Sequence, residues 1–237
     1  MRKTTGLFLK SVSLALMAGL LSSCFIFRDS SSSVPVQTPV YHMGPGEISS
    51  AVRNIDISWL DGMVDVIYYD GLTVKFFEAS DHYLSNETTM YHHFDGSTLY
   101  IRYGREGSLT RYASDKKLTL LLPSGSVYRN FSLQAVSSSV FVDVDATYNK
   151  IRTVDGDVRY STMASPSLIN IATESGPMEV ILPQSSSFKL VTATGSGKFT
   201  SDFNLKRYSG YYLYGSGYSQ ITLDSKTGAV ELIKAQL

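Results

Sequence analysis

Three histidines that lie close together, His82, His92 and His93, are the first residues in the sequence that could do chemistry. A metal site would need two or three of these side chains on one face. His92 and His93 are adjacent, however, and adjacent residues of a strand point to opposite faces. We therefore expect a solvated loop here and predict no metal site.

Asp155 and Asp157 flank Gly156 and form the most suggestive pair of carboxylates. A polysaccharide lyase or hydrolase would need carboxylates that converge on one groove. The repeat described below places Ser137 and Ser175 beside Asp155 on the neighbouring strands, so the acidic residues do not line up. We expect both aspartates to cap their own turn, and we predict no catalytic residue.

Two short Gly-Ser-Gly segments, residues 195–197 and 215–217, have the composition of an anion-binding loop. Such a loop works when a helix follows it, because the helix N-terminus then faces the phosphate. No helical pattern follows either segment, and no Gly-x-Ser-x-Gly sequence precedes one. We predict no cofactor.

Tyrosines are densest between residues 208 and 218, and Tyr211, Tyr212 and Tyr214 are the candidate ligand-binding residues. Exposed tyrosines on a β-surface suit sugar rings or protein partners, so a glycan or an envelope protein is the partner we consider. The alternative is that these rings pack into the core and cover an open end of the fold. Alternation along a strand requires some of them to face inward.

The chain contains one cysteine, Cys24, and its surroundings give it a chemical role. Arg2, Lys3 and Lys10 precede a short apolar run, which ends at Leu21-Ser22-Ser23-Cys24. This arrangement resembles the bacterial lipobox, in which the cysteine is lipidated and the signal is cleaved before it. An ordinary secretory signal or an N-terminal membrane anchor is the alternative. A lone thiol also has no intramolecular disulfide partner.

The N-terminal region therefore divides into two parts before the folded domain. We predict a lipoprotein signal peptide at residues 1–23 and a flexible tether at 24–47, where serines, spaced prolines and glycines replace any core pattern. The folded domain is expected at 48–237. These assignments place the protein in the cell envelope, anchored to a membrane by lipid, either periplasmic or facing the surface of an outer membrane.

Composition limits the classes of partner. The sequence has 21 Lys and Arg residues and 21 Asp and Glu residues, which excludes a nucleic-acid binder that relies on bulk positive charge. Hydrophobic residues make up 43% of the chain, enough to build a core.

The C-terminal half contains an internal repeat of alternating apolar and polar residues broken by a Ser/Thr-Gly turn. With residues 169–180 as the template, matching segments occur at shifts of −38, −20, +19 and +52 residues. The turn position recurs at Ser138, Gly156, Gly176, Gly195 and Gly228. Small residues occupy one column beside it: Ala135, Thr153, Thr173, Thr192 and Ser225.

This period favours an all-β, single-stranded, right-handed β-solenoid with rungs of about 18–20 residues. An antiparallel meander is the alternative. The register predicts that Glu179 lies between Arg159 and Lys198 on three adjacent parallel strands, and a failure of this row would favour the meander. The last interval is too long for one rung, so we expect an irregular rung or a hairpin between Tyr211 and Gln220.

The N-terminal half is less regular. Strands around residues 55–57, 64–66 and 74–76 are separated by Asp-Gly turns at 61–62 and 70–71, and a further hairpin is expected at 94–96. Residues 79–90 are the best candidate for a short helix.

Several segments resemble the bacterial family named "putative adhesin", which is related to the head GIN and toastrack β-domains. They are Val52–Ile57, Val64–Ile67, Leu118–Pro123 and the Thr/Ser-Gly rungs up to Leu232. The resemblance implies a solenoid-like all-β domain exported to the envelope. It supplies no catalytic residues.

The function expected from these observations is a non-enzymatic adhesion or interaction module held at the envelope. An envelope-stress or signalling sensor is the first alternative, and a carbohydrate-active enzyme is the second.

Overall fold

The computed structural model describes residues 40–49, 51–105 and 116–236. They belong to one compact unit, Pro39–Leu237. The predicted signal peptide, Cys24 and the tether up to residue 39 lie outside the described residues. The end of the predicted tether is wrong, because residues 42–48 already contribute two strands that pair with later ones. The folded domain therefore begins before residue 48.

The described residues form eighteen strands and no helix. The helix expected over residues 79–90 is wrong, because β4 ends at Ala79 and residues 80–90 form an irregular loop with one turn. The strands are β1 (His42–Met43), β2 (Gly46–Ile48), β3 (Asn54–Tyr69), β4 (Val74–Ala79), β5 (Tyr91–Phe94), β6 (Thr98–Arg102), β7 (Lys117–Pro123), β8 (Tyr128–Asp143), β9 (Ala146–Thr153), β10 (Val158–Ser161), β11 (Leu168–Thr173), β12 (Met178–Leu182), β13 (Phe188–Ala193), β14 (Phe199–Ser201), β15 (Lys206–Tyr208), β16 (Tyr211–Tyr214), β17 (Ser219–Ser225) and β18 (Val230–Lys234).

Most strands stack in parallel as two-strand rungs, which confirms the β-solenoid. Within each rung one strand leads to a corner and a second strand leaves it. The first strands stack as one sheet in the order β6, β3, β8, β9, β11, β17, β13. The second strands stack in the order β7, β3, β8, β10, β12, β18, β14. β3 and β8 are long enough to run through the corner and belong to both sheets.

The stacking order differs from the chain order in two places. The rung formed by β17 and β18 lies between the rung of β11 and β12 and that of β13 and β14, although it follows both in sequence. β3 likewise lies between the β6–β7 level and β8. The long interval before the final repeat therefore reflects a rung inserted out of order, and it also contains the expected hairpin, β15–β16.

The register follows the repeat for all but one of the predicted shifts. Ile171 pairs with Ile151 and with Leu223, as predicted. The shift of +19 is wrong, because Leu190, and not Phe188, is level with Ile169 through Ile221. β13 pairs in parallel with β17 and not with the template strand β11, so its residues do not have to keep the spacing of the template.

The predicted charge row is correct on one side only. Arg159 pairs with Glu179, and their charged groups are 3.5 Å apart. The next residue in the row is Glu231, and Lys198 is not part of it, because β18 is inserted between β12 and β14. The fold is nevertheless a solenoid and not an antiparallel meander, because the strands of each repeat pair in parallel with their neighbours.

Glycine at the corner allows the rungs to approach closely. A Cβ on Gly156 would clash with the carbonyl oxygen of Ser138, and one on Gly176 would clash with that of Gly156. Both glycines also have φ above +100°, a conformation that L side chains rarely adopt. Asp61-Gly62 is a corner of the same kind inside β3, so the hairpin expected there is wrong.

Hydroxyl side chains inside the corner satisfy its backbone. Thr153, Thr173 and Ser225 lie in one inward column, and each donates a hydrogen bond to a carbonyl in its own corner, at 2.9, 2.6 and 3.0 Å. This column was predicted, except that Thr192 is level with Leu223 and lies outside it. Small hydroxyl residues therefore recur here because the corner leaves carbonyl groups without strand partners.

The core lies between the two sheets and is filled by alternate residues of every rung. Ile169 and Ile171 of β11 face Met178 and Val180 of β12, and all four are buried. Burying one such side chain is worth about 1.5–3 kcal/mol. Antiparallel strands cover both ends: β5 and β1 follow β6, β4 and β2 follow β7, and β16 and β15 follow β13. The hairpin predicted at residues 94–96 is confirmed as β5–β6.

Candidate functional site

The predicted tyrosines lie on the β15–β16 hairpin, which closes one end of the first sheet. β16 pairs antiparallel with β13, and β15 pairs with β16 as the last strand of the sheet. Because side chains alternate along β16, the three candidate tyrosines point to two different faces.

Tyr212 and Tyr214 face inward and, although only partly buried, pack against the core. Tyr212 is level with Leu190 and packs on Phe199, with ring centroids 5.6 Å apart. Tyr214 contacts Phe203 at 4.9 Å, edge to face. These two rings cover the end of the core, as the packing alternative predicted.

Tyr211 faces outward and forms a three-layer stack. Its ring lies parallel to that of Tyr208, with centroids 5.0 Å apart and an interplanar angle of 6°. The Nζ of Lys189 lies 4.4 Å from the centroid of Tyr211. Tyr208 is 45% exposed and ends the stack on the edge strand. All three predicted tyrosines are half-buried, and Tyr211 alone is on the outward face. Tyr208, which sequence reasoning had counted only as part of the cluster, lies beside it on the same face.

A second candidate site is a surface groove of about 460 Å³ at the corner of the rungs. Asp61 and Asp155 line it on either side of Ser137, which is level with both. Two strand spacings separate the carboxylates, or roughly 10 Å. Sequence reasoning predicted serines beside Asp155 but missed Asp61, because the repeat was not extended into β3.

Both carboxylates of this groove hold their own turns. Asp61 accepts the backbone N–H of Gly62 at 2.9 Å, and Asp155 accepts that of Gly156 at 3.0 Å. Asp155 also accepts the hydroxyl of Ser175 at 2.8 Å, as expected for a turn aspartate. The groove therefore contains acids used for backbone capping.

The histidines lie at the opposite end of the fold. His92 and His93 are in β5 and point to opposite faces, so the solvated loop expected there is wrong for these two. His92 packs edge-on against Phe76 at 4.7 Å, and burial lowers its pKa below the ordinary value. His93 stacks on Tyr100 at 6.0 Å. In the part of the chain that the structure describes, no three His, Cys, Asp or Glu side chains converge as metal ligands.

A family model matches residues 113–232 and is described as Toastrack DUF4097. This chain belongs to the Toastrack DUF4097 family. The match runs from before β7 into β18 and includes the whole region in which the repeat was found. No curated protein matches the chain.

Two solved structures are similar to this Toastrack chain. One is described as a putative cell adhesion protein from Clostridium sporogenes, with 14% identity and a TM-score of 0.65 over 84% of this chain and all of that one. The other, described as a putative adhesin from Bacteroides fragilis, has 10% identity and a TM-score of 0.35 over 82% of this chain and 99% of that one. At this level of identity the first structure supports the fold alone.

The Toastrack domain also contains a buried ion pair that sequence reasoning missed. Lys116 is fully buried, and its Nζ is 2.6 Å from Oε2 of Glu78. The same Nζ donates to the carbonyls of Thr88 and Tyr103 and lies 4.8 Å from the ring centroid of Trp59. Burial lowers the pKa of Lys116, and the contact with Glu78 opposes this shift. Two backbone carbonyls and the Glu78 carboxylate surround the ammonium group, so the pair serves as an internal clamp.

No helix among the described residues has the length and apolar character required to cross a bilayer.

Proposed function

We propose that this protein is a non-enzymatic, lipid-anchored envelope protein whose Toastrack domain is an adhesion or interaction module. The binding site is the outward stack of Lys189, Tyr211 and Tyr208. Its partner is a glycan or another envelope protein. Among the three tyrosines predicted from the sequence, only Tyr211 keeps this role in the proposal, because Tyr212 and Tyr214 pack against the core.

The observation that carries the proposal is the position of this stack. The chain enters the domain at β1, and the tyrosine stack lies on β15, at the other end of the first sheet. Ten strand spacings separate the two, or about 50 Å. A tether that precedes residue 40 would therefore hold the domain by one end and leave the aromatic end facing away from the membrane.

The absence of an enzymatic role is part of the proposal and is supported by the groove at the corner. A glycosidase needs one carboxylic acid with a raised pKa and a second, ionised carboxylate, both free to act on the substrate. Asp61 and Asp155 instead accept backbone N–H groups of their own turns.

The test is a binding screen of full-length protein, purified in detergent, against immobilised glycans and envelope protein extracts. We expect at least one ligand that is retained by Tyr148→Ala and lost by Tyr211→Ala. Tyr148 is a suitable control, because it is 44% exposed and lies on β9 of the same sheet. The proposal fails if no ligand is found, or if every ligand binds equally well to the Tyr211→Ala protein.

A further inference from the structure

We propose that the Tyr208–Tyr211 site binds an acidic pyranose, such as a uronic acid unit of a polysaccharide. This inference rests on the proposed function and specifies its ligand. Three features of the hairpin carry it: a free aromatic face, unpaired cations beside that face, and an open backbone edge.

The free aromatic face belongs to Tyr208. Lys189 covers one side of the Tyr211 ring, and Tyr208 covers the other. Among the described residues, the only ring or cation contact of Tyr208 is with Tyr211. Because β15 is the last strand of its sheet, the second face of Tyr208 has no neighbouring strand. A pyranose ring placed there would continue the stack as a fourth layer, with its apolar C–H face on the ring.

The cations lie on the same outward face. Lys206 is two residues before Tyr208, so the two side chains point the same way. Lys206 is level with Leu213, and Leu213 is level with Lys189. Within the described residues no carboxylate lies within 4.0 Å of the charged groups of Lys189 or Lys206, although six other cations have such a partner. These cations are therefore available to a carboxylate on the ligand.

The open edge supplies polar groups for the hydroxyls of a sugar. β15 pairs with β16 on one side only, so part of its backbone lacks a strand partner. Lysine on an edge strand also discourages another protein strand from pairing there. β15 has only three residues, Lys206, Arg207 and Tyr208, which makes strand addition by a protein less favourable than binding of a short sugar.

The experiment compares a charged ligand with its uncharged ester, which differs by the loss of each carboxylate charge and the gain of one methyl group per sugar. Tri-galacturonic acid and its fully methyl-esterified form are titrated calorimetrically into full-length protein in detergent, at low and at high salt. We expect the acid to bind and the ester to bind about tenfold more weakly. We expect Tyr208→Ala to weaken binding of the acid by about tenfold, which is the upper end of an aromatic contact.

Two matched variants and one additional probe make the result specific. Lys206→Gln should weaken binding of the acid more than binding of the ester. Tyr148→Ala and Lys150→Gln, which change exposed residues of β9, should leave binding of both ligands unchanged. Poly-glutamate tests whether the site binds acidic protein. The inference is overturned if poly-glutamate binds as well as the sugar and is insensitive to Tyr208→Ala.

The remaining outcomes separate this inference from the proposed function. Equal binding of the acid and the ester, with both lost in Tyr208→Ala, would overturn the acidic class and leave a glycan-binding site in place. No binding of either sugar, with other ligands found in the screen, would overturn the inference alone. If the screen also yields nothing, both proposals fail.

Discussion

At the scale of single residues, glycine at the corner is the strictest requirement of this fold. Gly156, Gly176 and Gly228 occupy successive levels, and each approaches the carbonyl of the level before it. Ser138 occupies the same position one level earlier, and its buried hydroxyl has no hydrogen-bond partner among the described residues. Glycine is therefore needed at those levels where a Cβ would meet the carbonyl of the preceding level, and not at every turn.

Gly176→Ala should destabilise the domain by about 2 kcal/mol or more, because the new Cβ would both require an unfavourable φ and clash with the carbonyl of Gly156. Chemical denaturation monitors the free energy of unfolding. The control is Gly210→Ala, where φ is also positive but no atom lies within 4 Å of the new Cβ, so the loss should be about 1 kcal/mol. Equal losses of stability in the two variants would show that the positive φ, and not the clash, causes the destabilisation.

A second prediction at this scale concerns His92. Burial lowers its pKa below the ordinary value of 6.5, so the folded protein binds this proton less readily than the unfolded chain does. Stability should therefore fall as the pH decreases through 6.5 towards the lowered pKa. The electrostatic effects of His42 and His93 also lower the pKa of His92. The free energy of unfolding, measured at several pH values, should depend less on pH in His92→Phe than in the parent protein. The exposed variant His82→Asn should behave as the parent protein.

At the scale of elements, the clamp between Lys116 and Glu78 ties two segments to the start of the second sheet. Lys116 immediately precedes β7, and Glu78 faces inward from β4. The other oxygen of Glu78 accepts the N–H of Met90 at 2.7 Å, so the loop before β5 is held by the same group. The clamp therefore orders an irregular end of the domain in which few strands pair in parallel.

Breaking one side of this clamp should cost about 3–5 kcal/mol, because it leaves a buried charge without its partner. Glu78→Gln and Lys116→Met each test this by chemical denaturation. The double variant Glu78→Leu/Lys116→Met should lose less stability than either single variant, because it leaves no buried charge without a partner. Lys117→Met is the matched control: its partner Asp65 is 2.9 Å away, but both side chains are partly exposed, so the loss should be about 1 kcal/mol or less. A similar small loss at Lys116 would contradict the clamp.

At the scale of the whole molecule, the rung of β17 and β18 lies in the interior of the stack. β17 and β18 separate two rungs that are consecutive in sequence. Among the described strands, β13 and β14 pair only with β17, β18 and the hairpin, so this rung can dock on the others only when β17 and β18 are in place. β17 and β18 are therefore essential to the fold, unlike a terminal rung in a solenoid stacked in chain order.

Deleting residues 219–237 should expose both neighbouring rungs and unfold the C-terminal half. Limited proteolysis should then cut within residues 168–201, and thermal unfolding should lose its single transition. Removal of residues 235–237 alone, which follow β18, should leave the transition unchanged. The inserted rung would be contradicted if the longer deletion removed only a small, separate part of the unfolding enthalpy.

The proposed location of the whole molecule depends on Cys24. We expect Cys24→Ala to leave the protein uncleaved or soluble and without lipid, because the thiol is the group that would be acylated. Mass spectrometry of the purified protein and detergent partitioning measure this directly, with Ser22→Ala as a control that keeps a small residue before the cysteine. The lipid anchor is wrong if the Cys24→Ala protein still partitions as a lipidated one.

The sequence alone predicted the strands, the corners and the register wherever neighbouring repeats contact each other. Alternation at Ile169 and Ile171, glycine at position 176 and the hydroxyl of Thr173 each reflect a local need: an inward face, a close approach or an orphan carbonyl. These needs recur at every level, so the pattern is visible without the structure. The resemblance to the adhesin-like family, drawn from the same segments, is confirmed by the Toastrack match.

Only the tertiary structure determined the order of the rungs, and with it the candidate site. Any rung with an apolar inward face can stack on any other, and the cost of closing a longer connection grows slowly with its length. Nothing in the spacing therefore indicates that Ile221 lies between Ile169 and Leu190. The same holds for the tyrosines: the sequence shows that they alternate, but the pairing of Tyr212 with Leu190 turns Tyr212 and Tyr214 inward and leaves Tyr211 and Tyr208 outside. Long-range pairing assigns the faces, because alternation by itself cannot say which face is the core.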